Sequence, residues 1–207
     1  MSKININSAV QHLSKNDKVL STIIKNIGII NLTRQKKYFN LLLGSIISQQ
    51  LSIYAAASIQ KRFLEFFKND PQPEYILQTD DLALRSIGLS YSKVKYVKDL
   101  SQKFLSGEVK LKGLAKMSDD EIIAELTKVK GIGVWTSHMF LIFTLGRLNI
   151  LPVGDLGIRK SIMLNYRLKN LPDEKKIKLI AKNNNWHPYC SIASLYLWRS
   201  LDTKNES

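Results

Sequence analysis

Apolar residues recur every three or four positions along almost the whole of this 207-residue chain, and no stretch alternates over a strand's length. A helix needs a repeat near 3.6 to bury one stripe, whereas a half-buried strand needs a repeat of two. The pattern predicts helices over about 5–15, 18–27, 35–47, 52–68, 80–86, 91–105, 118–128, 132–144, 156–167, 173–183 and 188–200, and therefore an all-α fold. Pro71 and Pro73 interrupt it after the fourth helix. Ser118 with Glu121 is a capping-box pair that starts the helix at 118. A chain this long fills one domain or two small lobes and can bury a substantial core.

Charge narrows the partners. Lys and Arg number 31 against 17 acidic residues, a net charge of +14, on an otherwise ordinary soluble composition of 44% hydrophobic and 23% charged residues. That imbalance points to a polyanion, although a solvated basic surface gives the same count. No apolar run reaches the ~18–20 residues needed to cross a bilayer, and the start MSKININSAV lacks the form of a signal peptide. No membrane partner is expected. The expected place is intracellular: cytoplasm or nucleoid in a prokaryote, nucleus in a eukaryote. One cysteine, Cys190, excludes an internal disulfide and a four-cysteine zinc or iron–sulfur site. The three histidines, His12, His138 and His187, show no ligand spacing.

The stretch KGIGVW, residues 130–135, breaks the helical pattern with Gly131 and Gly133, and the pattern then resumes. One reading is an ordinary helix–helix turn. The other is a turn whose bare backbone amides, at the start of the next helix, face a phosphate. Asp155, ahead of LGIRKSI, reads most simply as a helix N-cap.

The stretch LTKVKGIGVWTSHMFLIFTLGRLNILPVGDLGIRK resembles the signature of the helix-hairpin-helix DNA glycosylases, in the 3-methyladenine DNA glycosylase II branch. There, an LxxVxGIGxWTA hairpin is followed, after Gly-Arg, by a Pro-x-x-Asp-Leu-Gly-Ile loop. IISQQLS (46–52), GLSYSKVKYVKDL (88–100) and WHPYCSIASLYLW (186–198) resemble further stretches of the same branch, so the likeness runs in order over about 38–200. One departure is Cys190, where the family usually has Arg. The large N-terminal β domain of some relatives has no room in this chain.

The resemblance implies that Asp155 is the catalytic carboxylate, a role compatible with an N-cap that holds the side chain rigidly. Trp198 matches the ring that stacks on the flipped base, with Trp135 and Tyr189 as further pocket aromatics; each could also be a core aromatic. Gln50, with Gln49 as fallback, matches the residue that fills the gap left in the duplex, though a turn or cap role would also suit it. Trp135 stands where strand-cutting relatives carry a lysine nucleophile, which implies base removal without AP-lyase activity. The hairpin implies backbone contacts at Gly131 and Gly133, with Lys128, Lys130, Arg159 and Lys160 near the phosphates. It also implies a sodium or potassium ion on the carbonyls of Thr127, Val129 and Gly131. No cofactor for catalysis and no iron–sulfur cluster are implied.

The implied fold has two lobes with a DNA-binding cleft between them. About 33–130 would form the middle lobe and 1–32 with 131–207 the second, with the helix-hairpin-helix over 118–144 at the junction. The implied function is a monomeric, monofunctional glycosylase releasing 3-methyladenine and 7-methylguanine from damaged double-stranded DNA in base excision repair. Two rivals stay open: a non-catalytic helix-hairpin-helix DNA-binding module, and a glycosylase for oxidised or deaminated bases.

Overall fold

The structure, a computed structural model, describes residues 2–202. It is mostly helical and divides into a terminal unit, Met1–Gln35 with Leu141–Ser207, and a middle unit, Lys36–Phe140. The division at 140/141 leaves the whole KGIG hairpin inside the middle unit.

The terminal unit begins with a ribbon of two short antiparallel strands, β1 (Ser2–Ile4) and β2 (Leu32–Arg34), in the register Ser2↔Arg34. Three-residue strands are too short to show an alternating pattern. The ribbon delays the first helix to α1 (Asn7–Asn16), which is followed by α2 (Lys18–Ile27). The unit is completed by α10 (Leu156–Asn165), α11 (Glu174–Asn183) and α12 (Cys190–Asp202). Helix α12 is the core: Cys190 to Leu197 is buried without a break, and the helix packs against α2, α10 and α1. A helix buried all round belongs at the centre of a domain. Buried Asp17 ties this core together. One carboxylate oxygen caps α2 through Val19 N and Leu20 N, and the other accepts from Tyr166 Oη and from Trp186 Nε1.

The middle unit runs through α3 (Tyr38–Ser48), α4 (Ile53–Phe66), α5 (Pro73–Gln78), α6 (Asp81–Ser86), α7 (Tyr91–Leu105), α8 (Asp119–Leu126) and α9 (Val134–Met139). Helix α5 corrects the reading of Pro73 as a breaker. Its fixed φ suits a first helical position, where no amide partner is lost. The capping box at Ser118 is present in both directions, with Glu121 N donating to Ser118 Oγ and Ser118 N to Glu121 Oε2.

The helix expected over 132–144 is not one α-helix. After Met139 the chain underwinds into a π-helical segment, Phe140–Leu145, closed by Arg147 N donating to Leu141 O and by Gly146 at φ +66°. A Cβ on Gly146 would lie 2.1 Å from Ile4 Cδ1, so the terminal strand packs directly on that turn. Single π turns of this kind re-aim the side chains around them, often at functional sites.

Candidate active site

In the terminal unit the chemistry gathers at the start of α10. Asp155 is the N-cap, in extended conformation, and its Oδ1 accepts from Ile158 N at 2.8 Å. The same oxygen accepts the indole N–H of Trp198, also at 2.8 Å. Asp155 is buried, and its carboxylate is seated by these two donors rather than swinging in solvent. Gly157 lies under this pair. A Cβ there would come within 3.0 Å of Trp198 Cδ1 and 3.1 Å of Asp155 Oδ1. The Asp-Leu-Gly spacing thus leaves room for the indole to reach its acceptor.

Trp198 has a second partner, Phe143, stacked at 5.7 Å between ring centroids with planes 30° apart. Phe143 is 46% exposed and comes from the π-helical segment. The sequence reading missed it, because within an apolar run nothing marks one phenylalanine as facing outward. Tyr189 stands elsewhere. It packs edge-on against His12, nine residues before Trp198, which is about 13 Å along a helix at 1.5 Å per residue. Arg159 donates from Nε to Pro172 O, bracing the segment ahead of α11, while Lys160 is exposed. Cys190 is buried, and that burial pushes its thiol up to about 11. The position faces the core, where a phosphate does not reach.

The middle unit carries the hairpin. Gly131 has φ +84°, and a Cβ there would lie 2.3 Å from the Tyr96 ring, so this glycine is required twice over. Gly133 differs. It is the N-cap of α9 in extended backbone, with nothing within 4 Å of where a Cβ would stand. Among the described residues no neighbour excludes a side chain at Gly133; the open space suits close approach by something external. The amide of Lys130 donates to Asp99 Oδ2 at 2.8 Å and fixes the turn. Lys128 is engaged by Glu125 at 2.6 Å, whereas Lys130 Nζ meets Asp99 only at 3.8 Å with its side chain 72% exposed. Of the two lysines, Lys130 is the more exposed and the more loosely paired.

The expected cation ligands sit in this turn. The carbonyl of Val129 accepts from Ile132 N and that of Gly131 from Gln49 Nε2. A carbonyl has two acceptor positions, so these neutral oxygens still fit a hard monovalent ion. Among the described residues no group of three or more His, Cys, Asp or Glu could hold a metal.

Trp135, Gln49, Gln50 and Leu51 line one pocket with Ser45, Ser48, Thr136 and Met139. Trp135 is 51% exposed. Gln49 and Gln50 have different employments: Gln49 is bonded to the hairpin carbonyl of Gly131 at 2.8 Å, whereas Gln50 is exposed and holds φ +55°. Gln49 is thus a tie and Gln50 the projecting side chain.

A capped and indole-held carboxylate, a glycine hairpin and a net charge of +14 are features that suit a helical enzyme working on nucleic acid. Residues 43–185 match the HhH-GPD superfamily base excision DNA repair protein, and the chain belongs to that superfamily. It is 34% identical over 200 residues to YfjP of Bacillus subtilis, a candidate DNA-3-methyladenine glycosylase, covering 93% of this chain and 68% of that one. Among solved structures it resembles the Schizosaccharomyces pombe 3-methyladenine DNA glycosylase (Mag1) in complex with abasic DNA, with TM-score 0.83, 31% identity, and 93% and 96% of the two chains covered. It also resembles the DNA-3-methyladenine glycosidase of Bacillus halodurans, with TM-score 0.85, 33% identity, and 100% and 95% covered.

Proposed function

We propose that this protein is a monofunctional DNA glycosylase that releases alkylated purines, chiefly 3-methyladenine and 7-methylguanine, from duplex DNA in base excision repair. The observation that carries the reading is the Asp155 carboxylate, gripped by Trp198 and Ile158 and supported by Gly157. Relatives named as 3-methyladenine glycosylases, one of them bound to abasic DNA, supply the substrate class.

The chemistry needs little more. Purines methylated at N3 or N7 are cationic, so the base leaves as a neutral molecule when it takes the electron pair of the N-glycosidic bond. The positive charge passes to the sugar as an oxocarbenium-like centre. A carboxylate fixed beside C1′ stabilises that centre and orients the water whose oxygen bonds to C1′, its proton passing to the carboxylate or to solvent. Removing the base from the stack costs a few kcal/mol. Trp198 with Phe143 offers an aromatic face for it, and an electron-rich ring favours a cationic purine. Gln50 occupies the vacated space, and the hairpin at Gly131 and Gly133 with Lys130 holds the backbone. The carbonyls of Thr127, Val129 and Gly131 would hold a sodium or potassium ion, which would supply positive charge beside the DNA backbone. Trp135 in place of a lysine leaves no amine there for a Schiff base, so an abasic site is the product.

The test is release of free base from methylated duplex DNA by wild type and by Asp155→Asn, followed by alkali. Free methylpurine from wild type, loss of at least about 100-fold in the variant with DNA binding kept, and strand breaks only after alkali support the reading. Breaks without alkali overturn the monofunctional part. An unchanged variant rate overturns the role of Asp155. Binding without release of any methylated base leaves a binding module or a glycosylase for other lesions.

A further inference from the structure

Gln50 sits in a backbone conformation that non-glycine residues adopt at a cost, with φ +55° in the short turn between α3 and α4. Such a conformation persists only where its surroundings over-determine it. Three ties do so here. On the near side, the ammonium of Lys93, on α7, donates to the carbonyl of Ile47 at 2.7 Å. Next to Gln50, the side chain of Gln49 donates to Gly131 O at 2.8 Å. On the far side, Ser52 caps α4 by accepting from Ala55 N.

Lys93 is the unusual member. It is 8% exposed, and burial lowers its affinity for a proton. Its ammonium goes to a main-chain carbonyl in the last turn of a helix, where backbone oxygens lack helical partners and a positive charge is favourable. Lysine is rarely buried merely to fill space. The same face of α7 carries Tyr96, whose ring lies under Gly131, and then Asp99, which accepts the amide of Lys130. Positions 93, 96 and 99 are three apart, so α7 addresses the Gln50 turn and the glycine hairpin from one stripe.

We infer that Lys93 and Gln49 are positioning residues for base extrusion, holding the α3–α4 turn so that Gln50 is presented to the duplex in a fixed attitude relative to the hairpin. This rests on the reading of Gln50 as the residue that enters the stack. Neither Lys93 nor Gln49 touches the reacting atoms; each acts through Gln50.

The readout is insertion rather than catalysis: fluorescence of 2-aminopurine placed next to a stable tetrahydrofuran abasic site in duplex DNA, titrated with protein. Wild type is expected to raise the signal by unstacking the probe, and Gln50→Ala to lose most of that rise. Lys93→Met is expected to lose at least about half of it, with unaltered affinity and salt dependence on undamaged duplex. The double variant Gln50→Ala/Lys93→Met should equal Gln50→Ala alone, because two residues acting through one contact are not additive. A wild-type signal from Lys93→Met, or losses that add, overturns the inference. Should Lys93→Met fail to fold by circular dichroism, Gln49→Ala takes the same test, and a wild-type signal from it overturns the inference equally. Gln50→Ala with a full signal removes the insertion role itself and the inference with it. Failure of wild type to release methylated bases, with the Lys93-dependent signal intact, removes the proposed activity alone.

Discussion

Trp198 donates its indole N–H to Oδ1 of Asp155 at 2.8 Å, and that oxygen already takes the amide of Ile158 at the start of α10. A side chain on the core helix thus fixes a side chain at a helix cap 43 residues away. The arrangement gives Trp198 a job that is separable from its ring face, and the two can be read apart.

Trp198→Phe keeps an aromatic face against Phe143 and removes the donor. A lost hydrogen bond of about 1–2 kcal/mol, if spent on placing the carboxylate, corresponds to roughly 5- to 30-fold in rate. Single-turnover release from methylated duplex is expected to fall by that amount, with DNA affinity held. Trp198→Leu loses the ring as well, so its further loss measures the aromatic contribution. Equal rates for wild type and Trp198→Phe would mean that the indole does not position Asp155.

Gly157→Ala probes the same contact from below. In a helix, alanine is favoured over glycine by about 1 kcal/mol, which works for stability. The added methyl would meet Trp198 Cδ1 at 3.0 Å and Asp155 Oδ1 at 3.1 Å, so the indole or the carboxylate must shift by a few tenths of an ångström. The expected outcome is a melting temperature within a few degrees of wild type and a severalfold slower release. Normal release would show that the pair tolerates displacement.

Local signals were legible in the sequence, and long-range ones were not. The Ser118–Glu121 box, the cap at Asp155 and the interruption at Gly131 each depend on neighbours within a few residues, and each is present. The roles read for Asp155, Trp198 and Gln50 came from the family likeness and not from local spacing. What escaped was decided by partners far along the chain. Gln49 is committed to Gly131, 82 residues away, and nothing in ISQQLS distinguishes the two glutamines. Phe143 faces Trp198 because a π turn rotates it there, and an apolar run scores alike for α and π geometry. Tyr189 takes its pocket role from its place in the motif, and its edge-on contact with His12, on α1, is marked by neither residue's neighbours.

Cys190 gives a chemical check on the core of the terminal unit. With the thiol raised to about 11 by burial, the thiolate that reacts with alkylating agents is scarce near pH 8. Native protein is expected to resist iodoacetamide for hours at pH 8 and to take up one equivalent after denaturation. Mass spectrometry reads both. Rapid labelling of the native form would place Cys190 on an accessible surface, where the usual arginine could have met a phosphate.

His138 supplies a pH dependence whose sign follows from its surroundings. On α9 its proton affinity is lowered, first by burial, with Asp119 pulling the other way. The unfolded chain takes up this proton near the ordinary value of 6.5, while the folded protein resists it. Below that pH the unfolded state therefore binds more protons, and stability falls as pH falls; above it His138 contributes no slope. Wild type is expected to lose melting temperature between pH 7 and pH 5, and His138→Gln to lose less over the same interval, since glutamine has no proton to gain. Asp119→Asn removes the opposing attraction and should steepen the decline. Parallel curves for wild type and His138→Gln, measured by circular dichroism in matched ionic strength, would mean that His138 charges as easily in the folded protein as in the unfolded chain.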